Sequence, residues 1–274
     1  MARFWTLLAL AAVAVGVGTA AAHNSWVVAG RNVLPSPGGV RLAFVTAHDA
    51  FPKSEVATDP TRVASWFVQH DGERRGVFGF AIDESASDLA ARVELEGAGL
   101  HVAAVALHPR FIEFEAGKFN GYLEEERAAA ALASRRRSGE FGSPGREFYT
   151  KMGKAFVQVG PVDEGDRGFL EPVGHELEIV PLSHPATWRR GDALRVRVLR
   201  GGEPVSGVHV SSGHESGTGH DYVETVATDR RGEATFRIDR GGHWFIRTHM
   251  IERIQSDRAE WESFWASLTF AISE

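Results

Sequence analysis

Cysteine is absent from the 274 residues of this sequence. Disulfide bonds and cysteine-based chemistry are therefore excluded, so packing alone must stabilise the fold. Positive charge is also in short supply: the formal net charge is −6, which argues against nucleic acid or an anionic membrane as a partner, because both are polyanionic. Long apolar runs are missing after residue 22, so no later segment is expected to span a membrane and the processed protein is expected to be soluble.

The motifs of several large enzyme classes are missing as well. There is no G-x-S-x-G elbow, no P-loop, no dinucleotide-binding fingerprint and no H-E-x-x-H zinc motif. The stretch "GHELE" at residues 174–178 matches only the beginning of the zinc motif and is predicted to start a strand. The sequence indicates no established catalytic mechanism, so we do not predict an enzyme.

The first 22 residues have the pattern of a secretory signal peptide. Arg3 supplies a positive charge, residues 7–17 form an apolar core, and residues 20–22 give an A-x-A cleavage pattern. A membrane anchor is the alternative, but the apolar run is short for a span of about 20 residues. We expect cleavage after Ala22, which makes His23 the first residue of a periplasmic or secreted protein; cleavage slightly earlier would leave one or two alanines before it.

Most of the chain after the leader is predicted to be β-structure. Short runs rich in Val, Phe and Ile, separated by Gly, Pro and Asp, predict strands at residues 40–48, 63–70 and 99–116, the last interrupted near Pro109. A short helical insertion is predicted around residues 117–155. Within it, residues 117–139 carry apolar side chains at helical spacing, and the Ser-Pro at Ser143 resembles a helix start that turns into a strand near residues 155–159.

The last hundred residues predict an antiparallel sandwich. In residues 193–199, apolar and charged side chains alternate strictly, and the runs that follow are joined by tight turns. The predicted fold is therefore mainly β, with two β-sandwich-type domains. The first covers residues 23–174 and contains the helical insertion; the second covers residues 175–274 and is immunoglobulin-like.

His23 is the first candidate for a metal ligand. At a free amino terminus, its α-amine and its Nδ1 atom can chelate one ion together, and a second histidine would complete a site of three nitrogens. Such ligands suit copper, nickel and zinc. The amine must lose its proton to bind, so metal affinity is expected to fall as the pH falls. The alternative is that His23 merely follows a cleavage site.

Two histidines at predicted strand ends are candidates for the remaining ligands. His48 follows the strand at residues 40–48, and His249 lies near the end of the strand in "WFIRTHM". Strand ends of a sandwich can converge on one rim, where binding sites are common. Asp49 would either orient His48 or bind the metal directly. The alternative for each histidine is a polar residue bonded to backbone or water.

A second, weaker cluster lies in the Gly/Ser-rich loop at residues 211–222. His214, His220 and Asp221, next to Glu215, have a spacing that would suit a divalent ion. Ordering such a loop around a metal would cost conformational entropy. A solvated hairpin loop is the alternative, which we favour.

Trp261 and Trp265 lie four residues apart in "EWESFWAS". If both were exposed, they would form a stacking platform for a glycan or a protein. Core packing is the alternative, because tryptophan side chains bury a large apolar area.

Several segments together resemble the periplasmic NikM-like family, a domain of unknown function named for its association with nickel and cobalt uptake. The resemblance is carried by "FNGYLEEE", "REFYTKMGKAFVQVG", "GHELEIVPLSHP", "GDALRVRVLRGGEPVSGVHV", "TDRRGEATFRIDRGGHWFIRTHM" and "EWESFWASLTF", in this order. It implies an exported, β-rich protein with an immunoglobulin-like carboxy-terminal half and a link to transition metals.

The resemblance also extends to the candidate ligands. The family pattern starts with a histidine after the signal peptide, which His23 matches. Its Gly-His-x-Phe-Pro-like element is matched by "AHDAFP" at His48, although Ala47 replaces the glycine and one residue is inserted. A histidine after the Gly-x-Trp element corresponds to His249.

We therefore predict a soluble periplasmic accessory protein that holds nickel, cobalt or copper through His23, His48 and His249. Its partners would be the metal ion and a membrane metal-uptake permease. The main alternative is a non-enzymatic β-sandwich module that binds a protein or a glycan. A copper oxidase built on His23 is a third hypothesis.

Overall fold

The computed structural model describes residues 23–48, 51–163, 165–215 and 222–273. These residues form eighteen β-strands and two α-helices. The prediction of a mainly β fold is therefore confirmed. Within the described residues, the strands form three sheets, which we call A, B and C.

Sheet A is antiparallel and comes entirely from the amino-terminal half. Its strand order is β1-β3-β7-β6. The bounds are β1 (Asn24–Ala29), β3 (Gly38–Ala47), β6 (Ala81–Asp83) and β7 (Asp88–Leu95). Strand β3 corresponds to the strand predicted at residues 40–48.

Sheet B is the largest, and it takes strands from both halves of the chain. Its path is β15-β14-β17-β18-β10-β8-β4-β5, and β2 and β9 also pair with β10. The bounds are β2 (Val33–Leu34), β4 (Val63–His70), β5 (Glu73–Gly76), β8 (Gly99–Leu107), β9 (Arg110–Phe114), β10 (Gly145–Val159), β14 (His209–His214), β15 (Glu224–Ala227), β17 (Gly242–Arg253) and β18 (Trp261–Ile272). Strands β10 and β18 are parallel neighbours, so the predicted boundary after residue 174 divides strands that share one sheet.

Sheet C follows the predicted alternation of apolar and charged residues. The bounds are β11 (Leu177–Pro181), β12 (Ala193–Arg200), β13 (Glu203–Pro204) and β16 (Glu233–Arg237), all antiparallel around β12. Leu194, Val196 and Val198 are buried, because they point toward sheet B, and they pack against residues such as Ile246 and Leu268.

Sheet B is the middle layer of the molecule. One apolar cluster fills the space between sheets A and B, and another fills the space between B and C. Strand β1 crosses the face of β10 and β18, where Ser267 donates a hydrogen bond to the carbonyl of Ser25 (2.8 Å) and Thr269 donates to the carbonyl of Val27 (2.5 Å). These bonds anchor the start of β1 on the central sheet.

Two helices cover the remaining part of the same face, α1 (Ala116–Glu125) and α2 (Ala129–Arg137). They confirm the helical prediction for residues 117–139. The helix start predicted at Ser143 is wrong, because Gly145 already begins strand β10. This strand is long because β9 pairs with it on one side and β18 on the other; such pairing overrides local helical signals. A Cβ atom on Gly145 would lie 2.2 Å from the Phe119 ring, so glycine allows α1 to approach the sheet.

Candidate functional site

The amino-terminal end of β1 brings two predicted ligands together. Asn24 pairs with Ala47 across β1 and β3, which places His23 next to His48 at the edge of sheet A. The ring centroids of the two histidines are 5.9 Å apart, and the ring planes are nearly perpendicular at 85°. The register of two strands therefore brings together residues that are 25 positions apart in the sequence.

Glu55, which no sequence motif marks, lies close to both histidines. Its Oε2 atom accepts a hydrogen bond from the backbone N–H of His48 at 2.9 Å and lies 3.8 Å from His23 Nε2. Glu55 is held there because its own backbone N–H donates to the carbonyl of Thr46 at 2.9 Å. Glu55 is only seven residues from His48 in the sequence, and this short separation was the only signal that could have pointed to it. No local sequence pattern predicts how this loop folds.

Lys151 of β10 attaches the start of β1 to the central sheet. Its Nζ atom donates a hydrogen bond to the carbonyl of His23 at 2.5 Å and lies 5.6 Å from the ring centroids of Tyr149 and Trp265. The side chain is buried, and desolvation, aided by the positive charges of Arg62 and Arg247, lowers the pKa of Lys151 to about 7. A buried amine thus lies directly beneath the candidate site.

His249, the third predicted ligand, lies under helix α1. Its Nε2 atom is 2.7 Å from the Tyr122 hydroxyl, and its ring packs 4.5 Å from that of Trp265. Its Nδ1 atom is 4.0 Å from Glu126 Oε2. Burial lowers the pKa of His249 to about 4, in spite of the nearby carboxylate, so the imidazole is neutral at pH 7.

Tyr122 connects His249 to a buried carboxyl group. The Oε1 atom of Glu147 accepts a hydrogen bond from Tyr122 at 3.3 Å and a short one from Ser263. Burial raises the pKa of Glu147 to about 7, because the charged form loses its water without gaining a full set of donors. Four groups from α1, β10, β17 and β18 thus form a buried polar network.

Arg247 completes the network toward the start of β1. It donates a short hydrogen bond to Glu126 and a 2.5 Å hydrogen bond to the Tyr222 hydroxyl, which also accepts from Asn24 at 3.4 Å. Burial alone would lower the pKa of Arg247, but the opposing charge of Glu126 raises it above the ordinary value. A chain of contacts therefore joins the residue next to His23 with the surroundings of His249.

His249 does not contact the other two candidate ligands directly in the described chain. The link from His23 to His249 passes through Lys151 and Trp265. Within the described ranges, no three His, Asp or Glu side chains form a group that could hold a metal ion. Asp49 lies outside the described residues, so the complete ligand set stays a prediction.

The second predicted cluster is only partly described. His214 is buried, and its ring packs 5.1 Å from that of Trp244. Glu215 binds Nδ1 of His243 at 2.9 Å, a partner that the sequence analysis did not identify. His220 and Asp221 lie outside the described residues.

Trp261 and Trp265 are buried, with exposed fractions of 2% and 5%. They pack against Phe119 and Tyr122 of α1. The exposed aromatic platform on which the glycan-binding hypothesis depended is therefore not formed, because the helical insertion covers it.

Two adjoining pockets open beside His249. The Arg247 pocket has a volume of about 330 Å³ and is lined by residues 125–127 and 247–249 with His209, Ser211 and Tyr222. The α2 pocket has a volume of about 350 Å³ and is lined by residues 126–131, 207–209 and 249–251. Both pockets share Glu126, Arg127, His209 and His249, so they form one continuous groove.

None of the helices in the described residues has the length and apolar character needed to cross a membrane.

Comparisons with known proteins identify a family for this chain, whereas the similar solved structures are only distantly related. The D0–D1 domain of intimin is 14% identical, with 89% of this chain and 96% of that chain covered, at a TM-score of 0.21. The Escherichia coli adhesin FdeC is 12% identical, with 92% and 65% covered, at a TM-score of 0.26. These scores are too low to support an inference, and no curated protein matches the chain. Residues 20–252 match the model of DUF4198, a domain of unknown function, and the chain therefore belongs to that family.

Proposed function

We propose that the processed protein is a periplasmic accessory protein that binds one transition-metal ion at its amino terminus. The ligands are the α-amine and Nδ1 of His23 together with the imidazole of His48. The single observation that supports the proposal most is the 5.9 Å separation of the two ring centroids. Metal–nitrogen bonds of about 2.1 Å allow the centroids of two imidazoles on one ion to lie up to about 6.4 Å apart.

Glu55 supports the use of Nδ1 of His23 for metal binding. Its carboxylate oxygen lies 3.8 Å from Nε2, the other ring nitrogen. A nearby carboxylate favours the proton on Nε2, which leaves the lone pair on Nδ1 beside the amine. Metal-bound histidines commonly donate their second ring N–H to a carboxylate, and Glu55 is placed for this role once the His23 ring is fixed by a metal.

The amine ligand depends on removal of the first 22 residues. In the unprocessed chain, the nitrogen of His23 is a peptide nitrogen, which cannot act as an amine ligand. Export with cleavage after Ala22 would therefore activate the site in the periplasm. Three nitrogen ligands favour copper over nickel and cobalt in intrinsic affinity, whereas the resemblance to the NikM-like family favours nickel delivered to a membrane permease.

The proposal is tested by metal titration of the exported protein. Mass spectrometry first establishes the amino terminus, and calorimetry then measures the binding of Cu(II) and Ni(II). We expect one ion per chain, and an alanine inserted before His23 should weaken binding by orders of magnitude because it displaces the amine. Unchanged affinity in the extended protein would refute the amino-terminal chelate.

Two histidine variants distinguish metal binding at the proposed site from non-specific binding to other histidines. His48→Ala should weaken binding strongly, whereas His108→Ala, at an exposed position outside the site, should leave it unchanged. Equal effects of the two substitutions would show that the metal binds elsewhere or without specificity.

A further inference from the structure

The first residue of the processed chain lies just beyond the paired part of β1. The last pair between β1 and β3 is Asn24 with Ala47, so His23 and His48 follow it at the open end of the ladder. The first residues of a chain are usually poorly ordered unless other groups hold them. A chelate that includes the α-amine therefore needs contacts from outside sheet A to hold His23 in place.

Side chains, and not a neighbouring strand, hold the backbone groups of these two residues. The backbone N–H of His48 donates to Glu55 Oε2 at 2.9 Å. The carbonyl of His23 accepts a hydrogen bond from Lys151 Nζ at 2.5 Å. Each of the two candidate ligands is thus held by one side chain at the open end of the ladder.

Lys151 extends a series of donors that bind alternate carbonyls of β1. Two hydroxyl groups of β18 donate to the carbonyls of Ser25 and Val27, and Lys151 of β10 donates to the carbonyl of His23. Alternate residues of a strand direct their backbone groups to the same side. The three donors therefore attach one edge of β1 to sheet B, from the first residue onward.

The burial of Lys151 is costly, and no ion pair within the described residues compensates for it. The other buried lysine, Lys154, forms an ion pair with Glu178 at 2.6 Å. Lys151 is 3% exposed, yet its one side-chain hydrogen bond in the described chain is the one to the carbonyl of His23. Burial of an amine without a charged partner lowers stability, and residues that break such a rule are commonly functional.

We infer that Lys151 is a positioning residue of the amino-terminal chelate. Its hydrogen bond holds the carbonyl of His23, and with it the Cα atom that carries both the α-amine and the imidazole, where these groups can face the His48 ring. Lys151 does not bind the metal itself. This inference rests on the proposed metal-binding function, and it adds the group that preorganises the ligands before the ion binds.

The first test needs no metal. Carbon-13 relaxation of the His23 Cα atom, in histidine-labelled processed protein, measures the order of the first residue in the wild type and in Lys151→Met. We expect an order parameter of about 0.85 in the wild type, as in a rigid strand, and a value below about 0.6 in the variant. Equal order parameters in the two proteins would overturn the inference, whether or not the protein binds metal.

The second test measures the affinity for Cu(II). Lys151→Met should bind one ion about tenfold more weakly, because the ion must then order a free first residue, which costs backbone entropy. Loss of a positive charge would by itself strengthen the binding of a cation, so weaker binding reports lost positioning. The electron paramagnetic resonance spectrum should change from one copper species to several, since the ligands are no longer held in one geometry.

Thr269→Val is the matched control, because it removes a donor to β1 but keeps the one at His23. It should leave the Cu(II) affinity and the spectrum unchanged. Lys151→Arg, which keeps a donor, should recover most of the affinity, and melting curves confirm that all three variants fold.

Two outcomes of the copper titration would overturn the inference. One is an affinity of Lys151→Met equal to or above that of the wild type, and the other is an equal loss in Thr269→Val. A wild type that binds no Cu(II) would instead refute the proposed function, and the relaxation measurement would still decide whether Lys151 holds the first residue.

Discussion

Replacement of Lys151 by methionine tests whether a cationic side chain is truly buried beneath the amino terminus. Lys151 is 3% exposed, and its main hydrogen bond is the one to the carbonyl of His23. Methionine has a similar length and no charge, so the variant removes the cost of desolvating the ammonium group while it largely preserves packing. It also removes one hydrogen bond, which contributes about 1 kcal/mol when the amine is neutral.

The size of the effect follows from the pKa of Lys151, which is about 7 in the folded protein and 10.5 ordinarily. A folded-state pKa below the unfolded one means that this group's contribution to stability is present above pH 10.5 and is lost as the pH falls toward 7. Between pH 9.5 and pH 6, the wild type should therefore lose about 3 kcal/mol that the methionine variant does not lose.

Urea unfolding of metal-free protein at pH 9.5 and pH 6 measures this difference. Lys151→Met should be close to the wild type in stability at pH 9.5 and more stable by about 3 kcal/mol at pH 6. The matched variant Lys118→Met, on the exposed side of α1, should show no such dependence on pH. A difference between Lys151→Met and the wild type that stays constant within about 0.5 kcal/mol would show that the amine is hydrated, and would refute the reasoning.

Three further outcomes are expected. Glu55→Gln should weaken metal binding about ten- to a hundredfold, because a neutral amide holds the His23 ring less firmly; calorimetry measures this loss. Gly145→Ala should destabilise the protein by about 1–3 kcal/mol, because the new methyl group meets the Phe119 ring, whereas Gly142→Ala, with open space around it, should not; thermal unfolding compares the two. Glu147 has a raised pKa of about 7, so its contribution to stability is present below pH 4.5 and lost as the pH rises through 7; Glu147→Gln should therefore gain stability over the wild type at pH 8 but not at pH 4.5, as urea unfolding at both pH values would show.

The polar network also connects the surroundings of the predicted metal ligands. Asn24, Tyr222 and Arg247 link the start of β1 to Glu126 and the groove beside His249. His23 and His48 lie at the edge of sheet A, whereas His249 lies under the helices.

Local patterns in the sequence were sufficient for most of the secondary structure. The strand at residues 193–199 and the helical segment at residues 117–139 were predicted from periodicity, because side chains on a half-buried strand or helix follow the period of the backbone. The strand at residues 63–70 was predicted from its content of Val and Phe and from the turn residues before it. The start of β10 was not predicted, because a strand paired on both sides obtains its stability from strands outside its own segment, here β9 and β18.

The candidate site also combines features that the sequence predicts with features that only the tertiary structure determines. The sequence by itself determined which residues have the chemistry to bind a metal, because His23 follows a leader pattern and His48 ends a strand. Only the tertiary structure decided that Glu55 lies near the His23 ring and the His48 backbone, that buried Lys151 binds the carbonyl of His23, and that His249 lines a separate pocket. Those contacts depend on the register of β1 on β3 and on the packing of the helices over sheet B, and no local pattern encodes either.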